Sequence, residues 1–181
     1  MRRLKKLFTP PPSEAAAHSL YTALVTMSRR PALYTDGGVA DTVDGRFDLI
    51  VLHLYLAIER LRREPEDAPA RQVETPLLEV FFADMNQALR QMGVGDLSVG
   101  RRVHDMAGAF FGRVQAYEAA LATHDGGGGT EPLADAVRRN LYRGDARADA
   151  GRWMTTYILS LRAALAAVPV EDLLAGRLPQ A

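Results

Sequence analysis

The stretch RFDLIVLHLYLAIERLRRE, about Arg46 to Glu64, constrains the fold more than any other part of the chain. At helical spacing Phe47, Ile50, Val51, Leu54, Ile58 and Leu61 form one apolar stripe, and Leu49, Leu52 and Leu56 fill much of the opposite side. A helix that is apolar nearly all round must be covered by other elements, so it belongs at the centre of a core. It is not a membrane span. Its uncharged part, Leu49 to Ile58, carries His53 and falls short of the ~20 apolar residues a spanning helix needs. The run Met154 to Val168 is interrupted by Arg162.

The neighbouring segments supply the cover. Ser13 is a candidate cap for a helix with Ala17, Leu20, Tyr21, Leu24 and Val25 on one face, ending before Pro31. A Gly- and Asp-rich loop is expected from Pro31 to Gly45, and a polar linker at EPEDAPARQ. Further helices are predicted over about Glu74 to Met92, Ser98 to Thr123, Glu131 to Tyr142 and Asp149 to Val168, with a short last turn in VEDLLAGRL. Gly108 and Gly112, one turn apart, suggest close approach of another backbone. No alternating run suggests a strand. The expected architecture is all-α, a single compact bundle of six or seven helices over residues 13–181.

The 181 residues suffice for one domain, and 48% apolar with 24% charged residues is ordinary for a globular chain. A formal net charge of zero disfavours a general nucleic-acid binder. With no cysteine, disulfides and thiolate metal sites are excluded. Residues 1–12 place Arg2, Arg3, Lys5 and Lys6 around Leu4, Leu7 and Phe8 before Pro10, Pro11 and Pro12. No apolar core follows, so this is not a signal peptide; it reads as a flexible terminus or a reversible contact with anionic lipid or RNA. A soluble protein is expected.

Chemistry is sparse. The segment QMGVGDLSVGRRVHD imitates a nucleotide loop only by letter, because a helix precedes it and no Gly-Lys-Ser/Thr follows. Gly93 is placed to close a helix in the left-handed region, Asp96 or Ser98 to cap the next, and Arg101 to pair with Asp105. Gly93→Val should therefore do more damage than Gly127→Val in the HDGGGG break. His18, His53, His104 and His124 form no His-Glu-x-x-His array, and His53 among leucines reads as a hydrogen-bonded core residue. Asp41, Asp44, Asp48 and Asp84 are available for acid–base work, yet no spacing demands a facing pair. No catalytic residue, metal or cofactor is assigned. The polar ends DTVDGRFD and MGVGDLSVGRR read either as caps and salt bridges or as a recognition corner on a rigid bundle.

Those segments, with RRPALYTDGGVADTVDGRFDLIVLHLYLAIERLR, LLEVFFADMNQALRQMGVGDLSVGRRV and MAGAFFGRVQAYEAAL, resemble the ubiquinol–cytochrome c chaperone family over roughly Tyr34 to Leu121, with a weaker echo in VRRNLYRG. The resemblance implies an α-helical assembly factor without enzymatic activity. It would bind nascent cytochrome b and support assembly of respiratory complex III on the cytoplasmic side of the inner membrane, with a ribosome and a small helical protein as further partners. By resemblance, the first motif comprises Asp41, Thr42, Asp44, Gly45, Arg46, Phe47, Asp48 and His53. The second comprises Asp84, Arg90, Gly93, Gly95, Asp96, Ser98, Val99 and Gly100, and the exposed Arg101 and Arg102 are candidates for partner contact. The client would need an apolar groove, for which the phenylalanines Phe81, Phe82, Phe110 and Phe111 offer more apolar surface than one core stripe requires. The alternative expectation is a nucleic-acid or ribosome-binding adaptor without that client, using the basic start and Arg101 and Arg102; DNA is not expected as a partner.

Overall fold

Helix α3, Val43–Leu61, occupies the centre, as its composition requires. The computed structural model describes residues 12–144 and 148–179, without the side chains of Asp96, Leu97 and Ala148. Every residue from Leu49 to Ile58 is buried. The helix starts before Arg46 because Thr42 caps it: its Oγ1 accepts from the Gly45 amide at 3.1 Å. Gly45 cannot be replaced cheaply, since a Cβ there would lie 2.0 Å from the Ala40 carbonyl oxygen.

Around α3 stand α1 (Pro12–Ser28), the short α2 (Pro31–Thr35), α4 (Glu74–Gln91), α5 (Asp96–Asp125), α6 (Glu131–Tyr142), α7 (Ala148–Ala167) and the short α8 (Val170–Leu174). A 3₁₀ turn, Pro69–Val73, precedes α4 and buries Ala70 and Val73. None of the described residues is in a strand. α1 packs on α3, α4 and α8; α5 packs on α3, α4 and α6; α7 packs on α3 and α6. The expected all-α bundle is present, with two short helices in addition to the long ones. Basic residues 1–11 lie outside the described residues, and α1 already includes Pro12, so Ser13 sits inside its first turn instead of capping it.

The core meets in an aromatic cluster. Phe81 and Phe110 are buried, their ring centroids 5.4 Å apart, with Phe47 stacked on Phe81 at 6.1 Å. Phe82 is half-buried, whereas Phe111 is 57% exposed. On the far side of the bundle, Arg162 of α7 donates to Glu59 of α3 at 2.6 Å and to Asp125, the last residue of α5, at 2.6 Å. Both hydrogen bonds raise the Arg162 pKa. One guanidinium thereby ties three helices together.

The corner between α4 and α5 is a Schellman closure. Gly93 has φ +82°, its amide reaches the Arg90 carbonyl at 3.0 Å, and the Val94 amide reaches Leu89 at 3.1 Å. The start of α5 departs from expectation. Gly95 is the capping position and offers no side chain, while the Ser98 hydroxyl donates back to the Gly95 carbonyl at 2.9 Å. The Asp96 side chain lies outside the description, and no ion pair joins Arg101 to Asp105 among the described residues. Nor does any backbone approach Gly108 or Gly112, where an added Cβ would meet nothing within 4 Å. Gly127 also corrects an expectation. Its φ is +85°, its amide bonds to His124 at 3.0 Å and that of Gly128 to Thr123 at 2.9 Å, so the end of α5 is closed by the same motif as the end of α4.

Candidate functional site

A groove of about 870 Å³ opens between the C-terminal half of α1, the start of α3 and the α4–α5 pair. Its apolar surface comes from Val25, Val43, Phe47, Ile50, Met85, Leu89, Met92 and Met106. Val43 is 61% and Met92 52% exposed, which is unusual for large apolar side chains on a bundle with this much core. Periodicity explains the position of Met85 and Met106: they continue the stripes that bury Phe81 and Phe110, but toward the α4–α5 corner the stripes run out of neighbours. Methionine suits such a surface, because its unbranched thioether adapts to differently shaped apolar partners.

Charged groups surround this apolar strip. Arg29, Arg46, Arg102, Arg113 and Arg143 line the groove together with Asp44, Asp84 and Asp105. Asp84 accepts from the Tyr21 hydroxyl at 2.7 Å, and burial followed by that hydrogen bond raises the tyrosine pKa. Arg46 holds Asp41 at 2.7 Å on the exposed lip, and that hydrogen bond lowers the Asp41 pKa.

The deepest charge is Asp48, 1% exposed beneath the groove floor. Arg113 of α5 meets it at 2.7 Å and Arg143, from the end of α6, at 3.4 Å. Arg113 also lies over the Phe47 ring, 5.4 Å from its centroid, and bonds to the Ala109 carbonyl at 3.0 Å. Burial nevertheless dominates. It pushes the Asp48 pKa up to about 6, against the opposing pull of Arg113 and Arg143. Nearby, Arg113 Nε is buried without a hydrogen-bond partner, and the Tyr117 hydroxyl lies beside Asn140.

His53 belongs to a different environment. Its Nδ1 lies 2.7 Å from the Leu49 carbonyl oxygen and its Nε2 2.7 Å from the Tyr157 hydroxyl. The carbonyl can only accept, so Nδ1 carries the proton and Nε2 accepts from Tyr157. Burial pulls the His53 pKa down to about 4, which keeps the ring neutral. Tyr157 in turn stacks on Trp153 at 5.5 Å. This is the satisfied core histidine that its leucine-rich surroundings suggest. Among the described residues no group of three or more His, Asp or Glu side chains is placed to hold a metal ion.

Of the motif residues, the groove therefore gathers Asp44, Arg46, Phe47, Asp84 and Arg102, with Asp48 just beneath. Asp41, Thr42 and Gly45 build the corner that starts α3. Arg90, bonded to Asn86 at 2.9 Å, and Gly93, Gly95, Ser98 and Gly100 shape the α4–α5 corner, with Arg101 exposed beside them. His53 lies apart, in the core. Arg29, Val43, Met85, Met92, Met106, Arg113 and Arg143 were not singled out as groove residues from sequence. Only the weak VRRNLYRG echo pointed near Arg143.

An all-α bundle bearing these two corners defines a class, and comparison supplies it. Residues 35–180 match the family model described as ubiquinol-cytochrome C chaperone, so the chain belongs to that family. Its fold is similar to the crystal structure of the Cbp3 homolog from Brucella abortus, with a TM-score of 0.77 and 31% sequence identity, covering 98% of this chain and 92% of that one. No curated protein matches the chain.

Proposed function

We propose that this protein is an assembly chaperone for ubiquinol–cytochrome c reductase, that newly made cytochrome b is its client, and that the groove beside α4 and α5 receives an apolar segment of that client. The family and the Cbp3 homolog support the assembly role. The observation that carries the client reading is the groove itself, with half-exposed Met92 and Val43 over an apolar floor. Helix-in-groove docking buries such a surface. No described helix is long and apolar enough to cross a membrane, so a membrane-embedded client would be met at the membrane surface or as it emerges from the ribosome. In this reading the protein works at the cytoplasmic face of the inner membrane, and the exposed Arg101 and Arg102 are available for a ribosomal or protein contact.

The test is genetic and spectroscopic. Deletion of the gene should remove most spectrally detectable cytochrome b and complex III activity from membranes, and the wild-type gene should restore both. Met106→Glu, placed in the groove and away from the core, should fold with an unchanged melting temperature and yet fail to restore them. Normal complex III in the deletion strain would end the reading.

A further inference from the structure

The outer face of α5 takes no part in the groove. At helical spacing Arg101, Gly108, Phe111, Gly112, Gln115 and Glu118 are all exposed along it. Phe111 is 57% exposed, one of three large apolar side chains so exposed among the described residues. The other two, Val43 and Met92, line the groove; Phe111 does not. Its ring is braced from behind, edge-on to Phe110 at 5.2 Å, and Phe110 lies 5.8 Å from half-buried Phe82 of α4. Glycine weakens a helix interior relative to alanine, yet nothing within this chain packs on Gly108 or Gly112 in return. The face presents a rigid aromatic knob beside two positions bare enough to receive one.

We propose that this face pairs with the same face of a second copy of the chain, the two α5 helices crossing antiparallel at Gly108 and Gly112. The charge pattern selects both partner and direction. A two-fold axis midway between the glycines brings together residues equidistant from it, because every residue advances the helix by the same ~1.5 Å. Arg101 and Glu118 lie at nearly equal distances on either side, so each guanidinium meets the other copy's carboxylate, and symmetry repeats the contact. Asp105 and Gln115 lie at equal distances and meet likewise, an acceptor opposite an amide donor. Parallel pairing would instead set Arg101 against Arg101 and Glu118 against Glu118. At the crossing, Phe111 of one copy falls beside Gly108 of the other, where no side chain obstructs it.

Arg102, Met106 and Arg113 reach the groove from a side of α5 about 120° round the helix, so pairing leaves both grooves open. From Arg101 to Ala122 the face is ~32 Å long and one helix wide. That is small for a protein interface, so the dimer is reversible, with a dissociation constant on the order of 50 μM.

Sedimentation velocity of the full chain tests this, from about 5 to about 500 μM, across which the sedimentation coefficient should rise. Phe111→Glu, at an exposed position, should keep the wild-type melting temperature and weaken pairing at least about tenfold. Gly108→Leu, which fills the vacant position and favours the helix, should weaken it as much with a raised melting temperature. Arg101→Glu or Glu118→Arg alone sets like charges together and should cost about fivefold, whereas the two combined should return within about twofold of wild type. A chain that stays monomeric throughout, undiminished pairing in Phe111→Glu, or a double charge reversal no better than either single one would each overturn the proposal. A monomeric wild-type chain whose Phe111→Glu variant fails to restore complex III in the deletion strain would overturn it in favour of a different protein on this face. If Met106→Glu restores complex III normally while the dimer forms as described, the groove reading fails and this inference stands.

Discussion

Asp48 and His53 sit little more than one turn apart on α3, both buried and both in the same sequence motif, yet their surroundings are opposite in kind. His53 has an acceptor for its proton and a donor for its lone pair, from Leu49 and Tyr157. Asp48 faces two arginines, and the buried Nε of Arg113 beside it lacks a partner. The first arrangement is closed, and any change to it leaves a polar atom stranded. The second is held by ion pairs from α5 and α6, with its carboxylate buried beneath the groove floor and one arginine nitrogen beside it unpaired. Burial of an ionisable group alone does not separate structure from function; the completeness of its hydrogen bonding does.

The contrast can be broken by mutation. His53→Ala should be the most damaging change, costing roughly 4 kcal/mol through a cavity and an orphaned Tyr157 hydroxyl; urea denaturation would check it. Gly45→Ala tests the other end of α3, where a methyl group must displace the Ala40 carbonyl, with an expected loss of about 3 kcal/mol in the same assay.

Titration offers a sharper contrast. The His53 pKa is lowered from 6.5 to about 4, so the unfolded chain takes up that proton first and stability falls as pH drops from 6.5 toward 4. The Asp48 pKa is raised from 3.8 to about 6, so the folded chain takes up that proton first and stability rises as pH drops through 6 toward 3.8. Each window is worth about 3 kcal/mol, and the two slopes oppose each other. Wild-type stability should therefore change little between pH 6 and 4. Asp48→Asn should reveal a loss on acidification, and His53→Ala a gain. Parallel slopes in the two variants would refute the assignment.

The smallest effects concern the two ends where helices are closed by left-handed glycines. Because Gly93 and Gly127 make the same closure, Gly93→Ala and Gly127→Ala should each cost about 1 kcal/mol by thermal melting. A large gap between them would restore the unequal roles that the HDGGGG sequence suggests.

The long helices were legible because their apolar residues repeat at helical spacing over many turns, and Glu131–Tyr142 was legible to the residue. α2 was not, since PALYTDGG carries the composition of a loop while Pro31 pre-sets the first helical position. Periodicity located the stripes of Met85 and Met106 without telling whether another helix or solvent faces each turn. That is decided by how far α4 and α5 extend past their neighbours. Arg113 and Arg143 became visible only in three dimensions, because what makes them notable is a shared carboxylate on a third helix.

The clamp at Arg162 has a mechanical consequence. α5 is a rod of ~45 Å tied to α3 and α7 by the Arg162 guanidinium at its C-terminal end and to α3 by Arg113 near its middle, while Arg102 to Met106 lie beside the groove. A rod tied at two points along its length resists turning about its own axis, which keeps the residues of the groove wall on the groove side.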